Sequence, residues 1–254
     1  MNISKLKSAF KRDGIIGFLN VFIGKFGFKF RFHTALDKRK LWLVDYLFSV
    51  CNSQVISGHF KGMKLTKKSN WDKKIYKHNP DLSSKIVGIY EQEVQNKIVE
   101  LQKTNKKKYF INFGAGEGYF ALGVLHLGLF EQTIAYEISD ESRDIMIENS
   151  KANKLDQKLS IKHAVNSNFL QDIIGTVKRE EDIFILADIE GEEFKIFSDY
   201  NLDKLNKIQM EIDDDPSKLT DNIDLIYQKT GLHYYSMDGP AVDSMSIGPM
   251  HSLT

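Results

Sequence analysis

Residues 108–118 read Lys-Tyr-Phe-Ile-Asn-Phe-Gly-Ala-Gly-Glu-Gly. A short apolar run ended by alternating glycines reads as a buried strand that stops in a sharp turn. Gly114, Gly116 and Gly118 let the backbone turn, and approach a ligand, without interference from a Cβ. A helical stretch, YFALGVLHLGLF at 119–130, comes next. Its opening amides suit a carboxylate or a phosphate. The spacing is G-x-G-x-G. A dinucleotide fingerprint would be G-x-G-x-x-G, and position 119 is Tyr.

The same alternation repeats downstream. TIAYEI at 133–138 predicts a second strand, and 139–155 a helix opened by Ser139 or Asp140. KLSIKHAV (158–165), EDIFILAD (181–188) and KIQMEID (207–213) predict three more strands. GEEFKIFSDY (191–200) reads as a helix or tight turn, and 217–231 as a helix closed by Gly231. Strand and helix alternating with short connections predict an α/β fold, a Rossmann-like doubly wound and mostly parallel sheet covered on both faces.

Upstream, 34–52 has helical spacing behind Thr34 as N-cap. QVISGHFKGMKLT at 54–66 suggests a hairpin, and 90–103 a helix. Residues 61–78 are lysine-rich, with Trp71 and Tyr76 interleaved, and read as an exposed loop or an anion-binding surface. The expected organisation is a basic helical extension over 1–53, a hairpin and helical lead-in over 54–105, and the core over 106–254.

Composition narrows the class. The chain has 254 residues, 42% hydrophobic and 27% charged, as an ordinary globular protein does. No run of about 18 uninterrupted apolar residues exists, which argues against a transmembrane helix. One cysteine, Cys51, allows no internal disulfide and favours a reducing compartment, hence a cytoplasmic location. The net charge of +1 hides an asymmetry: residues 1–40 hold ten Lys/Arg and two Asp/Glu. Their apolar run between Gly14 and Gly24 imitates a secretory signal but lacks a small-residue cleavage site, so it reads as a retained basic amphipathic segment. Such a segment is either a pair of helices with Lys/Arg in water or a peripheral contact with an anionic membrane surface or substrate. Nucleic acid is the weaker partner and would require a steep salt dependence.

Glu137 ends the second predicted strand, 19 residues past Gly118. In doubly wound folds an acid at that point accepts hydrogen bonds from a ribose. The glycine loop with this acid resembles the S-adenosylmethionine-dependent methyltransferases of Rossmann-like fold. Asp188-Ile189-Glu190-Gly191-Glu192-Glu193 then resembles the Asp-x-Glu-Gly-x-Glu signature of the FkbM family. Gly88-Ile89-Tyr90-Glu91-Gln92-Glu93, Gly58-His59-Phe60-Lys61-Gly62-Met63 and Gly116–Ala121 are similar to a bacterial branch of that family, so the resemblance covers about residues 55–215.

The resemblance implies S-adenosylmethionine as cofactor. Gly114, Ala115, Gly116 and Gly118 would wrap its methionine part, Asn112 would face its amino-acid end, and Ala164 and Val165 would neighbour the adenine. The family usually has an acid where Asn112 stands, and Asn supplies no charge for the ammonium. The family's Glu-x-His after the fifth strand is Glu211-Ile212-Asp213 here, so that histidine is absent. The implied acceptor is a hydroxyl on a small molecule or sugar; the basic segments would suit a lipid-linked one.

Methyl transfer is largely positioning, with help from a base that takes the hydroxyl proton. Asp188 and Glu190 follow the fourth predicted strand, where ligands bind in such folds, and Glu211, Asp213 and Asp214 follow the neighbouring fifth. Asp188, Glu190 and Glu211 are the candidate catalytic groups. Crowded carboxylates can raise one another's pKa, or hold Mg²⁺ or Ca²⁺ instead. No spacing fixes a cage, so a metal is not favoured and no ligand is assigned. The histidines, at 33, 59, 78, 126, 163, 233 and 251, form no metal motif. His126 reads as structural, and His163, closing the third strand, as a neighbour of the adenine or a plain strand end. Two rivals stay open: a methyltransferase-like binding module without catalysis, and a nicotinamide-dependent oxidoreductase, which the G-x-G-x-G spacing disfavours.

Overall fold

The computed structural model describes residues 3–25, 32, 34–68, 81–173, 175–179, 182–189, 196, 209–212, 235–236 and 251–252. The chain divides into two units, Met1–Gln92 and Glu93–Thr254.

In the second unit the expected strands pair into one parallel sheet. They are β1 (Tyr109–Phe113), β2 (Gln132–Tyr136), β3 (Leu159–Lys162), β4 (Ile183–Ala187) and β5 (Gln209–Ile212), in the order β3-β2-β1-β4-β5. Tyr109 lies level with Gln132 on one side and Ile183 on the other, so β1 is central and its ends are flush with both neighbours. Every residue of β1 and β4 is buried. That explains their apolar runs, interrupted only by Asn112, since a parallel strand is covered on both faces. Among the described residues the α-helices of this unit are α4 (Gln92–Asn105), α5 (Tyr119–His126), α6 (Asp140–Ala152) and α7 (Phe169–Ile173). A two-residue antiparallel pair, β6 (Tyr235–Ser236) with β7 (His251–Ser252), forms a second, separate sheet.

Side-chain alternation sorts the core. Ile111, Phe113, Ile134, Tyr136, Ile185 and Ala187 share a cluster with Phe169 and Ile173 of α7. On the opposite face Ala115, Ala121, Ala135 and Met146 pack together, so small residues bring α5 and α6 close to the sheet.

The strand starts are fastened by charge. The Lys108 amide donates to the Asp182 carbonyl at 2.9 Å. The Asp182 carboxylate accepts from Arg179 Nε and Nη2, each at 3.0 Å, and lies 3.8 Å from Lys108 Nζ. The Arg179 hydrogen bonds hold the Asp182 carboxyl below its ordinary value of 3.8, against the opposing effect of burial. A lowered folded-state pKa contributes stability above the ordinary value, and that contribution fades as pH falls through the lowered one. The urea midpoint of Asp182→Asn should therefore lie below wild type near neutrality, with the gap closing in acid. A gap that stays constant with pH would exclude this role.

The first unit contains α1 (Ile3–Lys25), α2 (Ala35–Val50) and α3 (Leu82–Val87). Helix α1 is two helices joined at Gly14, whose φ of 63° and ψ of −147° are not helical. Thr34 caps α2 as the sequence suggested: its side chain accepts from the Asp37 amide while Asp37 accepts from the Thr34 amide. The expected hairpin is a tight antiparallel turn with one bridge, Gln54 to Lys64, closed by Val55 N to Met63 O at 2.9 Å. Its tip touches the end of α3. A Cβ at Gly58 would strike the Gly88 carbonyl, and one at Gly88 the Ser57 carbonyl. These two motif glycines are explained by packing.

Candidate functional site

The order β3-β2-β1-β4-β5 places the switch point between β1 and β4, because the chain winds outward from β1 in one direction and then returns to its other side. Ligands bind at the carboxyl ends of strands at such a point. The glycine loop lies there. Gly114, Gly116 and Gly118 have φ of 72°, 53° and 85°, a region that side chains other than glycine rarely adopt.

Each glycine has its own reason. A Cβ on Gly114 would collide with the carbonyl oxygen of Asp188, the residue just past β4. Gly114 therefore lets the ends of β1 and β4 close together, where the Asp188 amide donates to the Phe113 carbonyl at 3.1 Å. Gly118 opens α5, and its Cβ would stand 2.6 Å from Met146 Cγ of α6. Gly116 faces open space, with nothing within 4 Å of the Cβ position.

The loop is tied down by β2 and α6. The amides of Gly114 and Ala115 both donate to the Tyr136 carbonyl, at 2.9 and 3.0 Å. Glu137 adds a carboxylate clasp: Oε2 accepts from the Gly116 amide and Oε1 from the Ser139 amide, both at 2.8 Å. A carboxylate has about four lone-pair sites, so about two stay available for a ligand's hydroxyls. Arg143 of α6 donates to the Glu137 carbonyl and pairs with Asp140. Asn149, buried on the same helix, donates to the Glu117 carbonyl at 3.0 Å.

The clasp and its supports were missing from the sequence reading. Asn149 carries a detectable signal, since it recurs with Ser142 and Met146 at helical spacing and all three are buried. Arg143 and the Ser139 amide are visible only once α6 is placed against β2.

The other expected residues divide. Asp188 lies half-buried at the switch point, in register with the end of β1 through the Phe113 bond. Glu190 lies outside the described residues, as do Glu192, Glu193, Asp213 and Asp214, the region of 191–200 apart from Ile196, and the expected helix at 217–231. Glu211 is a correction in position. It sits inside β5, opposite Leu186 of β4, two rungs before the level of Asp188. At about 3.3 Å per residue, it is set back from the strand ends where the ligand crevice opens.

Asn112 is buried in β1, and its side-chain amide donates to the Phe113 carbonyl at 3.3 Å. Ala164 is exposed just past β3, and Val165 packs against the cluster of Phe113, Tyr136 and Phe169. Beneath the loop, Phe113 meets Tyr136 and Phe169 edge-on, at 5.4 and 4.9 Å between ring centres. Burial, and secondarily the charge of Asp172, push the Tyr136 phenol well above its ordinary value, so it stays protonated. Its hydroxyl has no partner among the described residues. His126 ends α5 and His163 follows β3, both exposed. Among the described residues, no three His, Cys, Asp or Glu side chains gather as a metal group.

Comparison with solved structures bears on the fold. The chain is similar to the methyltransferase domain of METTL16, with 14% identity over 78% of this chain and 75% of that one, at a TM-score of 0.51. The chain has the Rossmann-like methyltransferase fold. A precorrin-6y C5,15-methyltransferase from Geobacter metallireducens matches over 57% of this chain and 72% of its own, with 14% identity and a TM-score of 0.38. PH0793 of Pyrococcus horikoshii matches at 20% identity and a TM-score of 0.29, and this chain spans 37% of its length. No protein-family model and no curated protein matches the chain.

Proposed function

We propose that this protein is an S-adenosylmethionine-dependent methyltransferase of the FkbM-like type, methylating a hydroxyl on a small molecule, sugar or lipid-linked glycan. The observation that carries the reading is the Glu137 clasp. A carboxylate at the end of β2, held against the glycine loop by the Gly116 and Ser139 amides, keeps acceptor capacity for ribose hydroxyls at the carboxyl edge of the sheet. Open space beside Gly116 leaves room for the methionine part. The fold likeness to a methyltransferase domain supports the class.

The cofactor supplies an electrophilic methyl group on a sulfonium, a good leaving group. The protein's part is therefore alignment and removal of the acceptor's proton. Asp188 is the base this reading favours, because its backbone is fixed to β1 by the Phe113 bond and by its contact with Gly114. Glu190 is the alternative base, and Glu211, set back in β5, the weaker candidate.

Calorimetric titration with S-adenosylmethionine and S-adenosylhomocysteine tests the cofactor. Binding near the micromolar range is expected, and Gly116→Arg, which fills the open side of the loop, should abolish it. Asp188→Asn should keep cofactor binding and lose transfer in a screen of hydroxyl acceptors; wild-type turnover in that variant would remove Asp188 from the mechanism. Fluorescence titration with NADH should give no binding, and saturable binding would favour the oxidoreductase.

One observation favours a second reading. The Asn112 amide donates one hydrogen bond to the Phe113 carbonyl and brings no charge toward the cofactor's ammonium. Cofactor binding without transfer to any acceptor class would make the protein a binding module.

A further inference from the structure

We infer that the second half of α1 is a membrane-surface anchor, which lies on an anionic lipid bilayer with Ile15, Phe18, Leu19 and Phe22 inserted. The inference rests on the first unit alone and is independent of the methyltransferase reading. These four side chains recur at the i, i+3, i+4, i+7 spacing of a single helix face. In a water-soluble helix that face would be the buried one. Here it is turned outward, with exposures of 69%, 38%, 37% and 42%. The buried positions among the described side chains of α1 are instead Leu6, Ala9 and Gly17. Gly17 shows how this comes about. Its Cβ position runs into the Ala9 carbonyl, so the two halves fold against each other at the Gly14 bend and use their small residues as the seam. The large residues of the second half are left facing out, and Phe18 and Phe22 stack on each other 6.5 Å apart.

Charge identifies the occupant. Helix α1 carries Lys5, Lys7, Lys11, Arg12 and Lys25 against a single acid, Asp13, which is paired with Arg12 at 2.8 Å. An apolar stripe on a basic helix pair matches a surface that is greasy below and anionic above. A second copy would bring the same positive charge face to face with itself, and a nucleic acid offers no depth for four aliphatic and aromatic side chains. Helix α2 of the same unit adds exposed Trp42 and Tyr46, stacked at 5.3 Å, residue types that favour the lipid–water boundary. No helix among the described residues is long and apolar enough to cross a membrane, so the anchor lies in the surface plane.

Flotation of the full chain with phosphatidylcholine vesicles carrying about 30% phosphatidylglycerol tests this. The protein should float with them, and pure phosphatidylcholine should capture it at least about tenfold less. Phe18→Ser with Phe22→Ser should lower binding to the anionic vesicles at least about tenfold, while Phe18→Leu with Phe22→Leu retains it. Both residues are exposed, so an unchanged circular dichroism spectrum is expected and separates loss of anchoring from loss of fold. Absence of flotation on anionic vesicles, or undiminished flotation of the serine variant, would overturn the inference. So would a dimer, seen by sedimentation without lipid, that the serine variant dissolves. Binding to a homopolymeric RNA that the serine variant leaves intact, with no flotation, would assign the basic helix to nucleic acid.

Discussion

Gly114→Ala is expected to be among the most damaging single methyl additions in this protein, and Gly116→Ala one of the milder changes in the same loop. Both residues sit at positive φ, so each substitution carries the left-handed backbone cost of about 1–2 kcal/mol. They differ in what the new methyl meets. At Gly116 it meets nothing within 4 Å. At Gly114 it meets the carbonyl oxygen of Asp188, which is backbone and cannot rotate aside. Relief requires parting the ends of β1 and β4, which breaks the Asp188 N to Phe113 O bond and moves the candidate base. Overpacking of this kind adds about 1–3 kcal/mol. Thermal unfolding should thus place Gly114→Ala about 1–3 kcal/mol below Gly116→Ala. S-adenosylhomocysteine affinity and transfer should also fall far more at position 114. Equal stability of the two variants would mean that the strand ends are not closed as described.

Glu137→Gln should be nearly as costly to cofactor binding, although it changes one atom and no volume. The carboxylate serves two amide donors with two oxygens, from Gly116 and Ser139. An amide side chain has one oxygen and one donor, so one of those N–H groups would face another N–H. Hydrogen bonds to a charged group contribute about 1.5–3 kcal/mol, and 1.4 kcal/mol is a factor of about ten in affinity. A loss of about tenfold to a hundredfold in S-adenosylhomocysteine affinity is therefore expected, together with weaker thermal stability of the ligand-free protein. The second readout distinguishes the clasp from a residue that only touches ligand. If affinity drops while ligand-free stability is untouched, Glu137 binds but does not brace the loop.

Much of the sheet was legible because its signals are local. Five short apolar runs, each ended by a turn or a cap, became five parallel strands, and Thr34 and Ser139 cap helices as their side-chain chemistry predicts. The switch point followed from the glycines after β1 and the acid after β2. What escaped was non-local. Gly58 and Gly88 read as family signature, yet each makes room for a carbonyl about 30 residues away in sequence, a pairing that only the folded chain displays. Glu137 read as a ligand acceptor, and its bracing of Gly116 depends on how β2 lies beside β1. Glu211 was placed with the strand-end acids because sequence gives a strand's existence more securely than its last residue; the register sets it inside β5. The stripe on α1 had the right spacing, but spacing alone does not say whether a face points inward or outward.

The inward turning of the loop amides has a consequence for which ligands the site refuses. Four N–H groups, those of Gly114, Ala115, Gly116 and Gly118, are already committed to the Tyr136 carbonyl, the Glu137 carboxylate and the Ala115 carbonyl. A loop that grips a pyrophosphate does so with unspent N–H groups converging on the anion. This one has used those donors on itself, so an anionic group of a ligand is left to the opening amides of α5. The loop's internal hydrogen bonding thus withholds from a phosphate the grip that a nest of free amides would give.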